Sequence, residues 1–155
     1  MKKLGLVLSV QNHLYLAAPS LKVYWGEKRT AWMTPLRAYL DAGLPIASGT
    51  DSAVVPYPPL WTLYHFVTRD TISGGVVGPE QRITRQEALR AATLGNAYLT
   101  FEEKTKGSIE VGKLADFIVL PEDILSCPPK DIESMKVQTT VVGGKVVFDR
   151  AKPAN

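Results

Sequence analysis

Over the first half of the chain the apolar residues fall into short runs separated by polar and small residues. Leu6 to Val10 is rich in branched side chains and bounded by Gly5 and Gln11, a pattern that predicts a strand buried on both faces, with His13 just past its carboxyl end. Leu14 to Met33 carries Tyr15, Tyr24, Trp25 and Trp32 with no clean period, and is expected to be a long loop with at most one helical turn. Thr34-Pro35 then predicts a helix start, the hydroxyl capping and the proline at the first helical position. Leu36, Tyr39 and Leu40 form the apolar face of that helix, and Gly43 ends it. Ile46-Ala47-Ser48 is a second buried strand, so strand, helix and strand alternate as in a parallel sheet. Asp51 again falls just past the strand's carboxyl end.

Leu60 to Val67 is apolar around most of its circumference, as in a buried helix, and His65 within it is expected to be a core histidine with one satisfied nitrogen. Thr84-Arg85-Gln86-Glu87 is a capping box opening a helix through Ala88, Leu89, Ala92 and Leu94, with a further short turn at Asn96 to Leu99. From Gly107 onward the texture changes to strands at Asp116 to Leu120, Gln138 to Val142 and Lys145 to Phe148, the last two joined by the hairpin signal Gly143-Gly144. The change near residues 103–107 divides the chain into an expected parallel-strand and helical part, 1–103, and an antiparallel part, 104–155.

Composition narrows the function classes. The 155 residues are 45% hydrophobic and 21% charged, ordinary for a globular chain. A formal charge of +3, with lysines and arginines scattered, argues against a nucleic acid partner. No run is long enough to span a membrane, and the leader-like Met1 to Leu8 is cut short by Ser9, Gln11, Asn12 and His13, so a cytoplasmic location is expected. Cys127, alone in a Ser-Cys-Pro-Pro turn, reads as structural filler, and the three tryptophans as packing residues.

Functional groups in parallel sheets with helical crossovers collect outside the carboxyl ends of the strands. His13 and Asp51 both stand there, and a histidine and a carboxylate can ligate a metal or handle protons. From local pattern alone, Asp51 after Gly49-Thr50 reads rather as a helix cap or turn former, and His13 as a loop residue. The glycine spacing of Gly107 to Lys113 imitates a phosphate loop, but Leu114 stands where a magnesium-binding hydroxyl is required and no strand precedes it.

The string Gly107-Ser-Ile-Glu-Val-Gly-Lys-Leu-Ala-Asp-Phe-Ile-Val-Leu120, followed by Thr140 to Val147, resembles the carboxyl-terminal signature of the metal-dependent amidohydrolase superfamily. Upstream, Pro35-Leu36-Arg37, Ala42-Gly43, Gly49-Thr50-Asp51-Ser52 and Arg82-Ile83-Thr84 through Leu89 resemble the branch that includes N-substituted formamide deformylase. The resemblance implies an α/β fold: the last two strand–helix units of a TIM (β/α)8 barrel plus the carboxyl-terminal strands of a small composite β-sandwich. It implies that Asp51 is the metal-adjacent carboxylate and general base at the end of the eighth strand, and that Gln11 and His13 face the substrate from the seventh.

A whole barrel takes about 250 residues, and the family's His-x-His pair, bridging lysine and two later histidines have no counterpart among the two histidines present. The resemblance therefore implies a divalent metal, zinc, and a small-molecule amide substrate for the complete enzyme. For the isolated chain it implies no cofactor and no turnover. Two alternatives stand beside it: a short chain that acts by assembly, through incomplete barrel edges, with itself or a complementary chain, and a non-enzymatic binding module.

Overall fold

The computed structural model describes residues 1–152, and the elements alternate between strand and helix through the first half. Strand β1 (Leu8–Val10) leads into α1 (Leu14–Ala31) and α2 (Leu36–Asp41), and β2 (Ile46–Ser48) follows. Helix α3 (Pro59–Thr68) comes next, then α4 (Arg85–Arg90), a π-helical turn over Ala91–Gly95 and α5 (Asn96–Leu99) in one continuous run. The remainder holds β3 (Phe117–Val119), α6 (Pro129–Ser134), β4 (Thr139–Val142) and β5 (Lys145–Asp149). Strands β1 and β2 pair in parallel, Ser9 opposite Ala47, and β3, β4 and β5 form a separate antiparallel sheet in that order. The fold is α/β, and the described residues form no closed barrel.

The expected loop over Leu14 to Met33 is instead a helix, broken at Gly26, whose φ of 73° and ψ of 165° are non-helical. Pro19 hid it from the pattern, because a proline inside a helix removes the bond to the carbonyl four residues back. That carbonyl, Tyr15 O, accepts from Ile72 N–H at 3.0 Å instead, so a distant segment repairs the helix. Leu14 and Ala18 on its first turns are buried. Thr34 is not the cap of α2: its φ is 45°, Pro35 takes the N-cap position, and the Thr34 hydroxyl donates to Gln11 O at 3.3 Å. Nor is β1 buried on both faces, for Ser9 is exposed. Of the tryptophans only Trp61 packs in the interior, while Trp25 and Trp32 lie about half exposed.

The core gathers around α3, whose Leu63, Tyr64 and Phe66 pack with Val10, Leu36, Ile46, Ile83, Ala88 and Ala91. Ile124, Cys127 and Ile132 join the same cluster from the far end of the chain, with the Cys127 thiol buried and unpaired. The leucine, isoleucine, valine and phenylalanine side chains among them contribute about 1.5–3 kcal/mol each when fully buried. The capping box forms as the pattern requires, Thr84 Oγ1 accepting from Glu87 N and Glu87 Oε2 from Thr84 N. Glu87 also meets Arg37 in a two-pronged pair at 2.9 Å on each arm, tying α4 to α2. Arg69, at the end of α3 and only 2% exposed, donates to the carbonyls of Ala31, Met33, Thr34 and Val77. Burial pushes its pKa down to about 10, which leaves it charged at neutral pH.

The antiparallel sheet explains why its two sequence strings occur together. Asp116, just ahead of β3, accepts from Gly143 N at 2.7 Å, and Ala115 O accepts from Gly144 N at 3.0 Å. Both glycines sit at positive φ, 56° and 76°, the geometry a two-residue hairpin demands. The Ala-Asp-Phe string and the Gly-Gly turn are therefore one hydrogen-bonded unit.

Candidate active site

Parallel pairing brings the two strand ends into register, Val10 opposite Ser48, and Gly49 N–H extends the ladder to Val10 O at 2.8 Å. The chain leaving β1 reaches His13, the N-cap residue of α1, and the chain leaving β2 reaches Asp51, at a φ of 52°. The side chains meet across this end of the sheet: His13 Nε2–H donates to Asp51 Oδ2 at 2.8 Å. The pair is half open to solvent, 39% for the histidine side chain and 51% for the aspartate. One carboxylate oxygen is thus held by an imidazole while Oδ1 has no side-chain partner among the described residues.

Gln11 stands at the same end, but its carboxamide turns back along the strand and donates to Ser9 Oγ at 3.2 Å. The structure brings His13 and Asp51 together and leaves Gln11 directed away from them. Asn12, between Gln11 and His13, is buried at 2% exposure, which the residue pattern gave no reason to expect of a polar residue after a strand. Arg69 likewise carries no signal in the sequence, since its partners are backbone carbonyls.

A single imidazole and a single carboxylate fall short of the three protein ligands a catalytic zinc takes. Among the described residues no group of three or more His, Cys, Asp or Glu side chains converges. The described residues do not by themselves form a metal site. What they offer is a carboxylate, oriented by a histidine, at the open end of a parallel sheet.

Comparison with known proteins places the chain in a family. The chain is 31% identical over 144 residues to N-substituted formamide deformylase from Arthrobacter pascens, a match covering 87% of this chain and 27% of that enzyme. It is 29% identical over 134 residues to 5-methylthioadenosine/S-adenosylhomocysteine deaminase from Moorella thermoacetica, covering 81% of this chain and 31% of the deaminase. The crystal structure of an uncharacterized metal-dependent hydrolase from Pyrococcus horikoshii superposes with a TM-score of 0.69 at 26% identity, over 83% of this chain and 27% of that one. The chain therefore spans between a quarter and a third of the length of these relatives. The model of the amidohydrolase family matches residues 1–148, from ahead of the first strand into the last, and the chain belongs to that family.

Proposed function

We propose that this chain is the carboxyl-terminal part of a metal-dependent hydrolase that cleaves a non-peptide carbon–nitrogen bond in a small-molecule amide or formamide. The observation that carries the proposal is the His13–Asp51 pair at the carboxyl ends of two parallel strands, in a chain whose relatives include a formamide deformylase and a deaminase. In this reading β1 and β2 are the last two strands of a (β/α)8 barrel, residues 1–103 belong to it, and residues 104–155 to a composite β-sandwich. Its setting is the cytoplasm; no helix among the described residues is long and apolar enough to cross a membrane.

Asp51 acts as the general base. Its carboxylate takes a proton from the water that attacks the carbonyl carbon, and returns it to the leaving nitrogen as the new carbon–oxygen bond replaces the carbon–nitrogen bond. The hydrogen bond from His13 to Oδ2 holds the carboxyl group in one orientation and leaves Oδ1 to receive the proton. Gln11 and His13 face the substrate, Gln11 after its carboxamide leaves Ser9. Asp51, together with ligands from outside this chain, would hold a divalent metal, zinc, which would supply the acidity that makes water nucleophilic near neutral pH. Without those ligands the 155 residues alone are inactive.

Asp51→Asn in the complete enzyme tests the assignment. General-base catalysis is worth about 10²–10⁴-fold, so kcat is expected to fall by at least about 10²-fold with the fold intact by circular dichroism. Turnover at the wild-type rate would show that the base lies elsewhere.

A second reading is that the chain works by assembly, pairing its open strand edges with itself or with a complementary chain. The exposed apolar side chains of the antiparallel sheet favour it.

A further inference from the structure

The turn between β1 and α1 carries an unpaid debt in hydrogen bonds. Asn12 is 2% exposed, and neither its Oδ1 nor its Nδ2 has a partner among the described residues. A carboxamide offers two donors and two acceptor lone pairs, and buried polar groups of this kind are nearly always satisfied by protein or ordered water. Across from the turn, on α3, His65 is 4% exposed and half satisfied. Its Nδ1 lies 3.0 Å from the backbone carbonyl of Asp70, which only accepts, so Nδ1 carries the proton and Nε2 is left as a bare acceptor. Nε2 has no partner among the described residues either.

The two residues border one space. Asn12 and His65 both line a cavity of about 10 Å³, walled also by Tyr15, Thr34 and Phe66. That volume accommodates about one water molecule, and it is too small for a carboxylate, a phosphate or any organic ligand. Arg69, also in the wall, already donates to four backbone carbonyls. Among the described residues the remaining buried unpaired side-chain atom, Thr62 Oγ1, belongs to a residue outside the cavity wall.

We propose that the cavity holds one ordered water, donating to His65 Nε2 and hydrogen-bonded to the carboxamide of Asn12. A water suits the pair because it can donate to the imidazole, which a second acceptor cannot, while meeting either face of the amide. Its structural effect is to tie the turn bearing Gln11 and His13 to α3, so the placement of those residues depends on a buried bridge as well as on the sheet.

A crystal structure of the native protein carrying this chain, at a resolution that orders solvent, tests it directly. The expected result is one density peak within hydrogen-bond distance of His65 Nε2 and of an Asn12 side-chain atom. Nitrogen-15 NMR supplies an independent readout, with His65 protonated at Nδ1 and its bare Nε2 showing the upfield shift of a hydrogen-bonded acceptor. Asn12→Leu fills the space with an apolar side chain, and should lose the peak and move the Nε2 resonance back downfield. An empty cavity in the native protein, an Asn12 side chain bonded directly to His65, or an Nε2 resonance indifferent to the substitution would each overturn the proposal. If the variant does not fold, the native density and the native Nε2 shift still decide it.

Discussion

His65 shows how one buried side chain makes stability depend on pH. Burial holds its pKa below the ordinary histidine value, a shift opposed by the Asp70 carbonyl it bonds and by the charges of Glu133 and Asp70, and assisted by Lys130. Between that lowered pKa and the unfolded value of about 6.5, the unfolded chain binds more protons than the folded one. Stability therefore falls as pH drops below about 6.5, and the loss is complete once the folded histidine is itself protonated. Glu87, held below its ordinary value chiefly by the hydrogen bond from Arg37, loses its contribution only at a lower pH, beneath the ordinary glutamate value of 4.5. Urea titrations at pH 7.5 and 5.5 separate the two windows: the midpoint is expected to be lower at pH 5.5. His65→Gln should shrink that difference, and a difference unchanged by the substitution would assign it to another group.

At the scale of the element, Gly95 reports how closely the π-helical turn sits on β2. Its φ of −62° and ψ of −42° are ordinary helix, so alanine there gains about 1 kcal/mol on helix propensity alone. A Cβ at this position, however, would lie 2.3 Å from Ile46 O, a backbone atom of the strand that cannot rotate away. Overpacking of this kind costs about 1–3 kcal/mol, and Gly95→Ala is expected to lower the urea midpoint with the slope unchanged. A raised midpoint would mean that propensity wins and that the turn stands off from the strand.

The same elements show what the sequence made legible. The β2 run Ile46 to Ser48, the Thr84 to Glu87 capping box and the Gly143-Gly144 hairpin depend on neighbours in the chain, and all three formed where expected. Helix α1 escaped because Pro19 and Gly26 break its pattern and its repair comes from Ile72, far along the chain. His13 and Asp51 were legible as residues past strand ends, but not their contact, which follows from the register Ser9 opposite Ala47. Arg69 was invisible because carbonyl acceptors leave no trace in residue identity.

For the whole molecule the open question of chemistry is what lies against its unpaired surfaces. Strands β1 and β2 form a sheet of two, and β3 and β5 are both edges of a sheet of three. On the latter, Ile118, Val119, Val146, Val147 and Phe148 are exposed, distributed over both of its faces. Unpaired strand edges bordered by apolar side chains promote association, since they offer hydrogen bonds and apolar area at once. The isolated 155-residue chain is therefore expected to show a weight-average mass that rises with concentration in sedimentation equilibrium. Association driven by apolar contact resists salt, whereas contact driven by the net charge of +3 would weaken as the Debye length falls from about 10 Å at 0.1 M to about 3 Å at 1 M. Val146→Lys on β5 places a charge on that surface, where Val146 is 61% exposed and its loss disturbs little of the core. It should reduce the association if β5 takes part, while leaving the folded monomer spectroscopically unchanged. A monomer at every concentration would show that these edges are protected in solution, and the assembly reading would then have no physical basis.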